Sequence, residues 1–104
     1  MSEITVRTRY FAYLREAIGH TEEVVELPEG ATVMDFVRKV IELHGSEIGR
    51  FVLDERGRLR RSIRVALNGE TVEESIIDRT VLKSGDVVVI LPPISGGSGY
   101  LLPP

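Results

Sequence analysis

The residues with the most distinctive chemistry lie near the end of the chain. Gly96 and Gly97 follow Pro92-Pro93-Ile94-Ser95. A glycine pair offers backbone with no side chain to pack, and ordering it costs conformational entropy. It suits a segment that is mobile until a partner holds it, and it equally fits an ordinary disordered terminus. A second group is Arg50, Arg56, Arg58, Arg60, Arg61 and Arg64. Guanidinium groups pair bidentately with phosphate or carboxylate. The segment therefore reads either as a solvated loop or as a docking surface for an acidic partner, with Arg58, Arg60 and Arg61 as partner-binding candidates. The chain has no Cys, so it has no disulfide framework, thiolate zinc site or cysteine nucleophile. His20 and His44 are isolated, and no metal site is expected. His44 continues an apolar helix stripe and fits a packed or capping residue near that helix's C-terminus; His20 lies beside a turn and should be exposed. No nucleophile–base pair is visible, which makes an independent enzyme the weakest reading. Lys39 and Lys83 are the only lysines.

Those residues need a small scaffold. With 104 residues there is room for one domain and one modest core. The net charge of -3 argues against general nucleic-acid binding and suits a protein partner. The longest apolar run, residues 87–91, is too short to cross a membrane. The first residues carry Glu3 and alternate polar with apolar, unlike a signal peptide.

Alternation predicts a first strand with Ile4, Val6, Thr8 and Tyr10 on one face. Phe11, Tyr13, Leu14 and Ile18 follow at helix-like spacing up to Gly19. Phe11 and Tyr13 fit the core, yet Tyr10 and Phe11 also fit an interface patch beside the last strand, since interfaces favour aromatics. Residues 22–27 read as a second strand. Residues 33–44 form the clearest helix, with Thr32 as N-cap, Asp35 completing a capping box, and an apolar stripe of Val33, Phe36, Val37, Val40 and Ile41. Residues 51–53 read as strand or irregular, 54–57 as a turn, and 59–67 as extended. Asn68-Gly69 marks a hairpin, and residues 70–72 its return. Residues 73–82 are a connection with room for a helical turn. Residues 87–91, apolar at every position, suit a central strand with both faces covered. Adjacent prolines then end it at Leu91. The order predicts an α+β fold: a ubiquitin-like β-grasp with a mixed sheet and one dominant crossing helix. Residues 1–94 form the domain and 95–104 a flexible tail.

From Gly85-Asp86 through Pro92-Pro93-Ile94-Ser95-Gly96-Gly97, the chain resembles the ending of the MoaD-like sulfur carriers, the small subunits of molybdopterin synthase, and their ThiS-like relatives. Tyr10-Phe11-Ala12-Tyr13-Leu14-Arg15-Glu16 is similar to the family's aromatic-Ala segment, and Val65-Ala66-Leu67-Asn68-Gly69 to its hairpin. The resemblance implies a cytoplasmic carrier that binds no cofactor itself. An E1-like adenylating enzyme would use ATP to activate the carboxylate of Gly97, and a sulfur donor would then displace AMP to leave a thiocarboxylate. The large subunit of molybdopterin synthase would receive the tail for molybdenum cofactor synthesis. Related carriers serve thiamine synthesis and tRNA thiolation. Gly96 and Gly97 would let a narrow channel grip the backbone. Phe11, Pro92, Pro93, Ile94 and Ser95 would face partners, and neither nucleic acid nor membrane would be among them.

The chain departs from that pattern by continuing for seven residues, Ser98 to Pro104. A carboxyl carbon within a peptide bond is no free acid, so a processing protease must act first. The alternatives are a ubiquitin-like modifier conjugated through Gly97, which shares the activation, and a non-activated binding module.

Overall fold

The computed structural model describes residues 2–93. The expectations for Ile94, Ser95, Gly96, Gly97 and the extension lie outside those residues.

The chain opens with β1 (Glu3–Arg9), α1 (Ala12–Ile18) and β2 (Glu22–Pro28). Alternation in β1 buries Ile4, Val6 and Thr8 and leaves Thr5, Arg7 and Arg9 exposed. β2 pairs with it antiparallel, from Glu3 opposite Pro28 to Arg9 opposite Glu22. Next comes α2 (Val33–His44). Its start is set by a reciprocal cap: Thr32 Oγ1 accepts from the Asp35 N–H at 3.2 Å, and Asp35 Oδ2 accepts from the Thr32 N–H at 2.9 Å. Such caps stabilise by about 1 kcal/mol. Val33, Met34, Phe36, Val37 and Val40 are buried, each contributing roughly 1.5–3 kcal/mol when large and fully enclosed.

The expectation of a strand or irregular segment after α2 is corrected. Ser46–Val52 forms a second short helix here, α3, immediately beyond Gly45. Ile48 and Val52 fill its inner side, one turn apart as a helix requires. α2 remains the dominant helix.

The extended segment predicted over 59–67 is also shorter in the structure. Leu59 makes a single bridge to Leu53, and Ile63 N–H donates to Arg60 O at 3.0 Å in a turn. The strand β3 is only Arg64–Leu67. Asn68 and Gly69 have φ of 51° and 91°, both left-handed, as a tight two-residue hairpin demands. They lead into β4 (Glu70–Thr71). A 3₁₀ turn at Glu74–Ile76 occupies the connection to β5 (Val88–Leu91).

β5 pairs antiparallel with β3, from Arg64 opposite Leu91 to Leu67 opposite Val88. One parallel bridge, Arg7 to Val87, joins this group to the β1–β2 hairpin. There the Arg7 N–H donates to Asp86 O at 2.9 Å, and the Gly85 N–H to Thr5 O at 2.9 Å. Across that seam the order is β2-β1-β5-β3-β4, with the last strand in the centre. This is the β-grasp arrangement, with α2 packed against β2 and β5.

Candidate functional site

The strand directions decide at which end of the sheet the described chain finishes. β5 runs parallel to β1 and antiparallel to β3. The C-terminal ends of β1 and β5 and the start of β3 therefore share one end of the sheet. Phe11, Arg60, Arg61, Pro92 and Pro93 all adjoin those strand ends. Pro92 is half-buried and Pro93 exposed; neither can extend the ladder with an N–H. Ile94, Ser95, Gly96 and Gly97 lie outside the described residues.

Phe11 points away from the core, with 38% of its surface exposed, as does Tyr13, which leans on Phe51 with ring centroids 4.5 Å apart. The core assignment for these two aromatics is thus corrected: both side chains are exposed. The reverse holds for Tyr10, which is fully buried and cannot belong to a surface patch. Ala12, between the two exposed aromatics, has φ of 51°. For an L-residue this left-handed conformation costs about 1–2 kcal/mol, so its surroundings must enforce it.

The arginines separate. Arg60 and Arg61 line a cleft of about 290 Å³ with Arg64, Ile63, Val72 and Glu73. Arg58 opens instead into a cleft of about 470 Å³ beside Met34, Arg38, Glu74 and Asp78. The loop between them is held by Asp54, whose carboxylate accepts the N–H groups of Arg56 at 2.8 Å and Arg58 at 3.0 Å. The bond from Arg58, with that from Arg56 and the nearby positive charges, lowers the Asp54 pKa. Among the described residues none of Arg56, Arg58, Arg60, Arg61 and Arg64 is ion-paired.

The helices cover one face of the sheet, burying Val6, Val25, Val65, Val88 and Ile90. Opposite, Val87, Val89, Leu91 and Ala66 are half-buried and Val24 is exposed. Arg7, Arg9 and Arg64 stand on this outward side of their strands. A groove of about 520 Å³ runs past Arg7, Arg9, Glu22, Val24 and Val87. This face thus sets a half-buried apolar strip beside Arg7, Arg9 and Arg64, with Glu22 Oε2 3.8 Å from Arg9 Nε.

Sequence reasoning missed one residue at this end, Glu23. It occupies the same inward register as Val25 and Leu27, and a carboxylate at such a position needs partners. Its Oε1 accepts from Tyr10 Oη–H at 2.7 Å and lies 2.7 Å from His44 Nε2. The Tyr10 and His44 rings meet edge to face at 6.0 Å. Burial pushes the Glu23 pKa up, but the two hydrogen bonds and the neighbouring imidazoles outweigh it, and the net shift is downward. Burial, then the bond and charge of Glu23, drive the Tyr10 phenol upward. The signal available in sequence was the charged residue on the buried parity of β2. His20 is exposed as expected and lies near His44, their ring centroids 6.4 Å apart. Among the described residues no group of three or more His, Asp or Glu side chains is placed to hold a metal ion, and no helix is long and apolar enough to cross a membrane.

Residues 8–97 match the ThiS family. A molybdopterin synthase sulfur carrier subunit of Chlamydomonas reinhardtii is 36% identical over 92 residues, which cover 88% of this chain and 98% of that protein. Small archaeal modifier protein 3 of Haloferax volcanii is 32% identical over 89 residues, covering 86% of this chain and 95% of the other. Among solved structures, SAMP1 from Haloferax volcanii superposes with a TM-score of 0.78 at 29% identity, covering 89% of this chain and 99% of that one.

Proposed function

The chain belongs to the ThiS family, and we propose that it is a sulfur carrier acting through the carboxyl group of Gly97 in molybdenum cofactor synthesis. The observation that carries the reading is that the family match extends through Gly97 and stops before the seven residues that follow. A protease removes residues 98–104 and frees the carboxylate. An E1-like adenylating enzyme joins that carboxylate to the α-phosphorus of ATP, releasing pyrophosphate. Sulfur from a donor attacks the acyl carbon and displaces AMP, leaving a thiocarboxylate. The large subunit of molybdopterin synthase then receives the tail.

The sheet supplies what this chemistry asks of a carrier. It needs no nucleophile of its own. An exit for the tail at this end is supported by Pro92 and Pro93, which follow the central strand directly and cannot donate to its ladder. A docking surface near that exit is supported by the exposure of Phe11 and the half-buried Val89 and Leu91, with arginines at the same sheet end. ATP belongs to the activating enzyme.

A second reading, a modifier conjugated through Gly97, is favoured by the likeness to the small archaeal modifier. It shares the adenylate and differs in the acceptor. Intact-mass analysis of the protein from its own host tests both. The carrier reading expects a chain ending at Gly97, part of it with one oxygen exchanged for sulfur. Gly97 joined to lysines of other proteins, with no thiocarboxylate, gives the modifier reading. A chain that always retains residues 98–104 overturns both.

A further inference from the structure

The corner between β1 and α1 holds two neighbouring aromatics in opposite environments. Tyr10 is fully enclosed, whereas Phe11 is turned out to solvent. Ala12, the first residue of α1, has a left-handed φ of 51°. Phe11 itself is extended, and its carbonyl accepts the first bonds of α1, from the N–H groups of Leu14 at 3.1 Å and Arg15 at 3.3 Å. No side chain caps that helix. A seven-residue helix has little stability of its own, so the corner must be held from elsewhere.

It is held through Tyr10. The Tyr10 N–H donates to Thr21 O at 2.9 Å, and its phenol donates to Glu23 Oε1. Glu23 is fixed in turn by His44 at the end of α2. Three elements thus converge on one carboxylate oxygen: the end of β1, the start of β2 and the C-terminus of α2. His20, from the α1–β2 connection, is the other titratable group facing this cluster. Thr8, directly opposite Glu23 in the β1–β2 register, adds a hydroxyl that is buried and without a hydrogen-bond partner. None of these groups is on the outward face of the sheet, and none is used by the carboxylate chemistry of the tail.

We infer that Glu23 is a positioning residue: by holding Tyr10 from one side and His44 from the other, it fixes the Ala12 corner and thereby presents Phe11 to the partner protein. The partner role of Phe11 rests on the carrier reading; the fixing of the corner does not. Glu23→Leu removes the acceptor at similar bulk, Tyr10→Phe removes only the donor, and Glu23→Gln retains an oxygen able to accept from both partners.

The test has two arms. In the first, NMR relaxation dispersion is recorded on each variant of the full chain alone. Microsecond-to-millisecond exchange is expected at the amides of Phe11, Ala12 and Tyr13 in Glu23→Leu and Tyr10→Phe, absent from the middle of α2, and largely suppressed in Glu23→Gln. Exchange spread evenly over the domain, or an unchanged corner in both variants, overturns the inference. In the second arm, the affinity of the trimmed chain for the large synthase subunit of its host is measured in a double-mutant cycle with Phe11→Ala. Glu23→Leu should weaken binding about tenfold when Phe11 is present and barely at all when it is absent. Equal losses in both backgrounds overturn presentation through Phe11. A trimmed wild-type chain that binds neither that subunit nor the activating enzyme overturns the carrier reading, and the first arm then decides the corner by itself.

Discussion

A Cβ added to Gly49 would lie 3.0 Å from Ile41 Cγ2, so α3 crosses α2 at a distance that only a glycine fits without adjustment. The contact is with one methyl of a half-buried side chain, which has room to turn. Gly49→Ala should therefore change stability by no more than about 1 kcal/mol, crowding offsetting the gain in helix propensity. Gly49→Val should destabilise by about 1–3 kcal/mol, since two further methyl groups cannot be taken up. Urea unfolding of the two variants checks the pair; equal midpoints would show that the helices separate freely.

Phe36 is fully enclosed under the sheet. Phe36→Ala should lower stability by about 3–5 kcal/mol. Denaturant unfolding measures it, and an unchanged midpoint would contradict the placement of α2.

Acid should weaken the fold through Glu23. Its folded pKa is depressed below the ordinary glutamate value, so the folded state holds a proton there less readily than the unfolded one. The stabilisation is complete above the unfolded value and is lost as pH falls from about 5 through the folded pKa. Tyr10 works from the other side: its raised phenol makes stability fall above about pH 10, where the unfolded phenol ionises. Thermal unfolding against pH should show a smaller acid slope in Glu23→Gln and a smaller alkaline slope in Tyr10→Phe. Parallel curves for wild type and both variants would be the contrary result.

The outward sheet face should be covered in the complex. Hydrogen exchange with the activating enzyme or the large synthase subunit is expected to slow at Val87, Val89 and Leu91 and at the neighbouring positions of β1. Protection confined to residues 50–64 would move the interface to the arginine loop.

Full-length protein should fail in ATP–pyrophosphate exchange with the activating enzyme of its host, and protein ending at Gly97 should succeed. The attacking group is the free carboxylate of Gly97, which residues 98–104 lock in an amide. Gly97→Ala in the trimmed chain keeps the carboxylate but adds a Cβ where backbone must pass closely, and should be slower. Equal exchange by full-length and trimmed chains, with no cleavage during the assay, would remove Gly97 from its role.

The sequence made some of this architecture plain and hid the rest for physical reasons. α2 was legible because a reciprocal cap and a one-sided stripe agree with each other, and the Asn68-Gly69 turn because few dipeptides accept two left-handed residues. α3 was hidden by its glycines. Gly45 reads as an end and Gly49 as a poor interior residue, yet Gly45 separates two helices and Gly49 permits their contact. Tyr10 was drawn toward the surface by its aromatic type, although the alternation of β1 already placed it inside with Val6. The β5 exit could be read from two prolines. The Glu23 carboxylate could not, because no local pattern says that Glu23 and His44, 21 residues apart, will meet.

The seam between Arg7 and Val87 also has a kinetic meaning. It pairs residues from opposite ends of the domain, and contacts so distant in sequence are formed slowly because a long loop must close first. The central strand is also the strand that leads to the tail. A nascent or partly unfolded chain has no β5 inserted between β1 and β3, and so lacks the joined sheet face. Docking on the finished sheet would thus admit folded molecules to activation and pass over incomplete ones. On the carrier reading proposed above, an activating partner that docks on this face would inspect the fold in the same act by which it recognises its substrate.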